Sequence, residues 1–261
     1  MLRIDGASAR PYSTGPVQPS DALLLAGGGL VAGVVNTLAG GGSLLTVPLL
    51  VLAGLPGPVA NGTNRVGVLI GSAVATWRLA ALGISGMRDA TPMLVPGAIG
   101  ALLGAYGVVQ LPAELFNRIF GVLMLVLLVP TLRGARPDTA LRKPLPPFVR
   151  ALAFFGIGVY GGAFQAGVGV LMISVLSLAG IDLVRSTHIK TALNTCFMLL
   201  ALPIFWWAGQ ILWPEALALG VGFGAGGALG ARIAVRGGAR VIRPVLALAV
   251  VALAGRMLGV Y

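Results

Sequence analysis

The stretch Gly40-Gly41-Gly42-Ser43-Leu44-Leu45-Thr46-Val47-Pro48 decides the fold. Three glycines interrupt an apolar run, and Gly tolerates the backbone angles of a tight reversal. The apolar segment that follows, 43–53, has only about a dozen residues. At 1.5 Å per residue it is too short to cross about 30 Å of hydrocarbon. The break therefore predicts a hairpin in which helix 21–39 enters and the short helix returns to the same side. Moved by 126 positions, Gly41 falls on Gly167, Leu52-Ala53-Gly54 on Leu178-Ala179-Gly180, and Gly100 and Gly104 on Gly226 and Gly230. The chain is thus written twice, and the constancy of the offset is what chance composition would not give. Weak internal symmetry in an apolar chain is the mark of transporters, whose substrate site lies between the copies near the bilayer midplane.

Composition puts the chain in lipid. Of its 261 residues 57% are hydrophobic and 10% charged, which excludes an ordinary soluble domain with a polar exterior. The net charge of +11 comes from cations in short loops beside apolar segments, the pattern of cytoplasmic membrane ends. No nucleic-acid partner is expected. The single cysteine, Cys196, lies in an apolar helix and excludes both an internal disulfide and a cysteine-based metal cluster. Neither metal nor cofactor is expected. Residues 1–20 are polar and hold Pro11, Pro16 and Pro19, so they read as a disordered tail, with Asp21 as the first N-cap.

Apolar runs give five segments in the first half, 21–39, 43–53, 58–81, 91–110 and 113–132. The second half repeats them at 148–165, 169–179, 183–208, 214–234 and 240–258. The fold class that follows is all-α: a polytopic membrane protein of two inverted repeats, each a short helical hairpin plus three long transmembrane helices. Its parts are a tail at 1–20, a first membrane repeat at 21–132, a linker at 133–147 and a second repeat at 148–261. Arg133, Arg136, Arg142 and Lys143 make the linker cytoplasmic, whereas the loop 209–213 has no basic residue and should face outside. These signs agree only if each hairpin returns to its own side, which makes the copies antiparallel.

The run from Gly40 to Pro48, with Gly54-Leu55-Pro56 and Ala60-Asn61-Gly62-Thr63-Asn64, resembles the first-half signature of the TauE/SafE sulfite exporter family. The second half is similar to that family in Tyr160-Gly161-Gly162, Ala166-Gly167-Val168-Gly169, Asp182-Leu183-Val184-Arg185, Lys190, Asn194 and Ala208-Gly209-Gln210. The resemblance covers nearly all of the chain beyond the tail. It implies a multi-helix permease of the bacterial cytoplasmic (inner) membrane that moves small sulfur-containing or organic anions such as sulfite, sulfonates or sulfoacetate, often outward. Ser186-Thr187-His188 departs from the more apolar or small residues of many relatives, which leaves substrate and proton coupling open.

The residues themselves point to an anion. Each glycine break, at Gly41 and Gly42 and at Gly167 and Gly169, precedes a short helix whose first N–H groups lack partners in their own helix. Such ends carry partial positive charge and bind anions. Lys190 and Arg65 lie in apolar helices, where a cation costs about 2.5–3.5 kcal/mol or more unless it snorkels or finds a partner. No Asp or Glu lies in the middle of any segment, so a bound anion could serve as that partner. Ser43, Thr46, Thr63, Asn64 and Asn194 supply further hydrogen bonds. His188, the sole imidazole, is a candidate proton relay or an interfacial residue. Gln165, Asn36 and Thr191 either line the path or bond between helices. The partners expected are a small anionic substrate and the bilayer, with association into a homo-oligomer left open. The alternatives are an anion-selective channel and a non-transporting membrane subunit. An enzyme is not expected, because no nucleophile and base form a motif.

Overall fold

The computed structural model describes residues 19–133 and 145–236, the side chains of 128–133 excepted. Among these residues all regular structure is helical, in nine helices. They are α1 (Pro19–Ala39), α2 (Ser43–Leu52), α3 (Gly57–Ala81), α4 (Met87–Val108), α5 (Ala113–Arg133), α6 (Pro147–Ala163), α7 (Val168–Leu178), α8 (Leu183–Trp207) and α9 (Trp213–Val235). The expected segment 240–258, the tail up to residue 18 and linker residues 134–144 lie outside the described residues. Two boundaries differ from expectation for local reasons. Helix α1 begins at Pro19, so Asp21 sits in its first turn rather than at the cap, where its charge still faces the positive helix end. Helix α4 begins at Met87 rather than 91, with Gly86 at its N-cap and Asp89 in its first turn.

Helices α1, α4, α8 and α9 are long and apolar enough to cross a membrane. Helix α3 has 25 residues but opens with the polar run Asn61, Thr63, Asn64 and Arg65. Helices α2 and α7 have 10 and 11 residues. At 1.5 Å per residue they reach about half way across hydrocarbon.

Packing follows the glycines. Helix α1 lies along α9, and α6 along α4. A Cβ on Gly226 would meet the Leu30 carbonyl, one on Gly222 that of Ala26, and one on Gly230 would stand 2.8 Å from Thr37 Cβ. In the other pair Gly100 faces Phe155 and Val159, and Gly104 faces Val159 and Ala163. Residue numbers rise together in both pairs, so each pair runs parallel. Small residues four apart let the backbones touch, which is how helices associate without a hydrophobic drive between them. The Gly100/Gly104 and Gly226/Gly230 pairs are thus packing devices.

At the centre α3 crosses α8 with the opposite sense. Gly62 lies by Phe205, Arg65 by Met198 and Ser72 by Asn194, so these two helices run antiparallel. Exchanging the halves converts the α1–α9 contact into α6–α4, α3–α9 into α8–α4, and α2–α3 into α7–α8. Trp206 and Trp207 are 60% and 82% exposed, and Trp206 meets Trp213 edge-on at 6.3 Å. Exposed tryptophans of this kind are enriched at membrane–water interfaces.

Candidate functional site

The two glycine breaks touch each other. A Cβ on Gly169 would lie 2.5 Å from Gly40 Cα and 2.9 Å from Lys190 Cδ. Gly40 (φ 79°) and Gly167 (φ 66°) hold left-handed backbone conformations that side chains rarely adopt, which is why glycine stands at these reversals. Among the described residues no group accepts a hydrogen bond from the N–H of Gly41, Gly42, Ser43, Gly167 or Gly169. All five residues are buried. Two short helices therefore begin at one buried place with several amides of their first turns and caps unengaged, although the Val168 amide that opens α7 donates to the Gln165 carbonyl at 3.4 Å.

Neither buried cation snorkels. Arg65 is 0% and Lys190 2% exposed, and each reaches the end of a helix in the other half of the chain. The Lys190 ammonium donates to the carbonyls of Asn36 at 2.8 Å and Thr37 at 2.6 Å, in the last turn of α1. The Arg65 guanidinium donates to Gly161 at 3.3 Å, Gly162 at 2.6 Å and Ala163 at 2.9 Å, in the last turn of α6. It also stands 4.0 Å over the Phe205 ring and 3.7 Å from Met198 Sδ. Terminal carbonyls form the negative end of a helix, so both cations sit where the field favours them. Asn36 and Thr37 become Gly162 and Ala163 at the 126-position offset, so the two cations cap equivalent carbonyls. The side chains are one register apart, since Lys190 aligns with Asn64 and not with Arg65. Lys190 and Arg65 thus already have partners, and those partners are backbone groups.

Around this frame Asn64 donates to Ser43 Oγ at 3.0 Å and accepts from Thr46 Oγ1 at 2.5 Å, fixing the first turn of α2 on α3. Asn194 accepts from Gln165 Nε2 at 2.7 Å and donates to Ser72 Oγ at 2.9 Å, tying the second break to both long helices. Thr63 is turned elsewhere: its hydroxyl accepts from the Leu212 N–H at 3.0 Å, anchoring the loop between α8 and α9. His188 is 2% exposed, and its Nδ1 has no partner among the described residues.

Three contributors were not among the candidate site residues, although Asn61 and Arg185 lie in stretches that carry the family resemblance. Asn61 donates to the Ala163 carbonyl at 2.9 Å, and Ser72 receives Asn194. Arg185 pairs with Asp89 at 2.6 Å and donates to the Ser85 carbonyl at 3.3 Å, closing the α3–α4 loop over the start of α8. Asp182 caps that helix by accepting from the amides of Val184 and Arg185.

The family profile described as sulfite exporter TauE/SafE matches residues 25–257. A "Probable membrane transporter protein ORF9" of Sinorhizobium sp. is 32% identical over 233 residues, covering 87% of this chain and 88% of that protein. A "Probable membrane transporter protein" of Haemophilus influenzae is 27% identical over 225 residues, 84% of this chain and 87% of the relative. The "Probable membrane transporter protein YfcA" of Escherichia coli K12 is 26% identical over 235 residues, 88% of this chain and 86% of the relative. No solved structure matches. The chain belongs to the sulfite exporter TauE/SafE family of membrane transporters and is a multi-pass membrane protein.

Proposed function

We propose that this chain is a secondary transporter that exports small sulfur-containing or organic anions, such as sulfite, a sulfonate or sulfoacetate. The single observation that carries the reading is the meeting of the two breaks, where the unengaged amides of both short helices gather beside Lys190. An anion there would accept from Gly41, Gly42, Ser43, Gly167 and Gly169, and Ser43, Thr46, Asn64 and Asn194 would complete its surroundings. Lys190 would turn from the α1 carbonyls toward it. Arg65 keeps its terminal nitrogens on α6 and contributes mainly by its field. Described carboxylates sit only at helix starts: Asp21, Asp89, Glu114, Asp182 and Glu215. No buried acid competes for the cations. Export also needs no coupling ion, since an anion leaving a negative interior gains about 2.3 kcal/mol per charge per 100 mV. His188 remains a candidate proton relay.

The antiparallel crossing of α3 and α8 supports reading the halves as inverted repeats that work by alternating access, with the linker 133–147 cytoplasmic and the chain in the bacterial inner membrane. The close approach of the Gly40 and Gly169 backbones at the meeting of the breaks supports a carrier over an open channel. Purified protein in liposomes loaded with sulfite should release it saturably, and faster with a negative interior. Release no faster than from protein-free liposomes, for sulfite, sulfoacetate and alkylsulfonates alike, would refute the transport reading.

A further inference from the structure

Beside the meeting point of the breaks lies a second polar locus, made of side chains whose hydrogen bonding is incomplete. Asn61, Arg65 and Gln165 are 0%, 0% and 2% exposed. Each has one atom without a partner among the described residues: Asn61 Oδ1, Arg65 Nε and Gln165 Oε1. All three border the last turn of α6. Asn61 and Arg65 both donate to the Ala163 carbonyl, and Gln165 Oε1 lies 3.7 Å from where a Cβ on Gly161 would stand. Asn61 and Arg65 are four apart on α3 and so share one of its faces. Gln165 arrives from the break with the only positive φ of a non-glycine residue among those described, 61°. Its amide nitrogen is held by Asn194. Buried polar atoms are almost always satisfied, and a group left unmet costs free energy. Three of them at one helix end, two acceptors and one donor, describe a place built for something that brings hydrogens.

We infer that Asn61, Arg65 and Gln165 form a subsite for a hydrogen-bond-donating tail on the transported anion. The inference rests on the anion reading above. The head of the anion sits on the amides of the breaks. Its tail offers O–H or N–H to Asn61 Oδ1 or Gln165 Oε1 and accepts from Arg65 Nε. Gln165 is two residues from Gly167, at most about 7 Å along the chain, so an anion of two or three heavy atoms beyond its head spans both places. A site built to hydrogen-bond a hydroxyl rejects the analogue that lacks it, because its own groups are then left unpaired. The substrate class is therefore a small oxyanion carrying a hydroxyl, amide or similar donor, in preference to its alkyl counterpart.

Two probes of equal charge and nearly equal shape test this: 2-hydroxyethanesulfonate and 1-propanesulfonate, titrated calorimetrically into the purified full chain. The wild-type protein should bind the hydroxyl probe about 10-fold more tightly. Gln165→Met and Asn61→Leu should each bring that ratio close to one. Mere loosening of the fold would weaken both probes together and keep the ratio, so the ratio separates a ligand contact from a structural role. Equal wild-type affinities would overturn the subsite and leave its polar atoms to water. A 10-fold preference that survives both substitutions would overturn the choice of residues. Binding of sulfite but of neither probe would end the tail subsite and spare the anion reading, whereas binding of no anion at all would end both.

Discussion

The ends of α1 and α6 occupy equivalent places in the two halves, yet they are held differently. Arg65 grips α6 through three carbonyls, lies against Phe205 and Met198, and is helped by Asn61. Lys190 holds α1 alone, through two. A guanidinium is a planar fork whose bonds are fixed together, whereas an ammonium is a point charge on a flexible stem that exchanges partners one at a time. The comparison teaches that the two cations brace equivalent helix ends unequally, and on the transport reading proposed above the looser one is the charge that can be handed to a substrate. Only Lys190 runs past Gly169, where the unengaged amides gather.

The first way to break that contrast is Arg65→Met. It strips the buried Gly161 and Gly162 carbonyls of their donor, while Ala163 keeps Asn61, and should cost about 3–5 kcal/mol. Thermal unfolding in detergent should show a large fall, and a protein as stable as wild type would remove the brace. Next comes Lys190→Met, which leaves the Thr37 carbonyl unmet, Asn36 keeping the Gly40 amide, but acts mainly on the cargo. Transport in vesicles should fall about 10–100-fold, the worth of a charge-assisted bond, with membrane insertion intact. Unchanged flux would take Lys190 out of the site. The contrast is sharpened by Lys190→Arg, which offers α1 the fork that α6 already has. It should raise the unfolding temperature while slowing transport about 10-fold or less; faster transport would show that grip and mobility are not in opposition.

How far the sequence reaches is set by the kind of group that acts. The break at Gly40–Gly42 was legible because left-handed backbone angles demand glycine, and the hairpins because 10 or 11 residues cannot span hydrocarbon. Gly226 and Gly230 announced a close helix crossing by their spacing alone. The partners of Arg65 and Lys190 were not legible, because every residue has a carbonyl and nothing in its letter says which helix end will arrive beside a cation. The same holds for Thr63, whose hydroxyl a loop from the other half claims, and for His188, whose burial depends on neighbours far along the chain. Asn61 stands in the family signature without a partner until α6 brings it the Ala163 carbonyl, and Ser72 reads as an ordinary helix residue until the crossing of α3 with α8 brings it Asn194.

The glycine seams also bear on how the chain is made. Gly29 and Gly33 in α1 are shaped to receive Phe223 and its neighbours in α9, and Gly100 and Gly104 in α4 to receive α6. Each seam joins a helix of one half to a helix of the other, so α1 waits in the bilayer for a mate synthesised only after α2–α8. A fragment stopping after residue 132 would carry unfilled grooves and no finished bundle. Expressed separately, the two pieces should assemble only in each other's company.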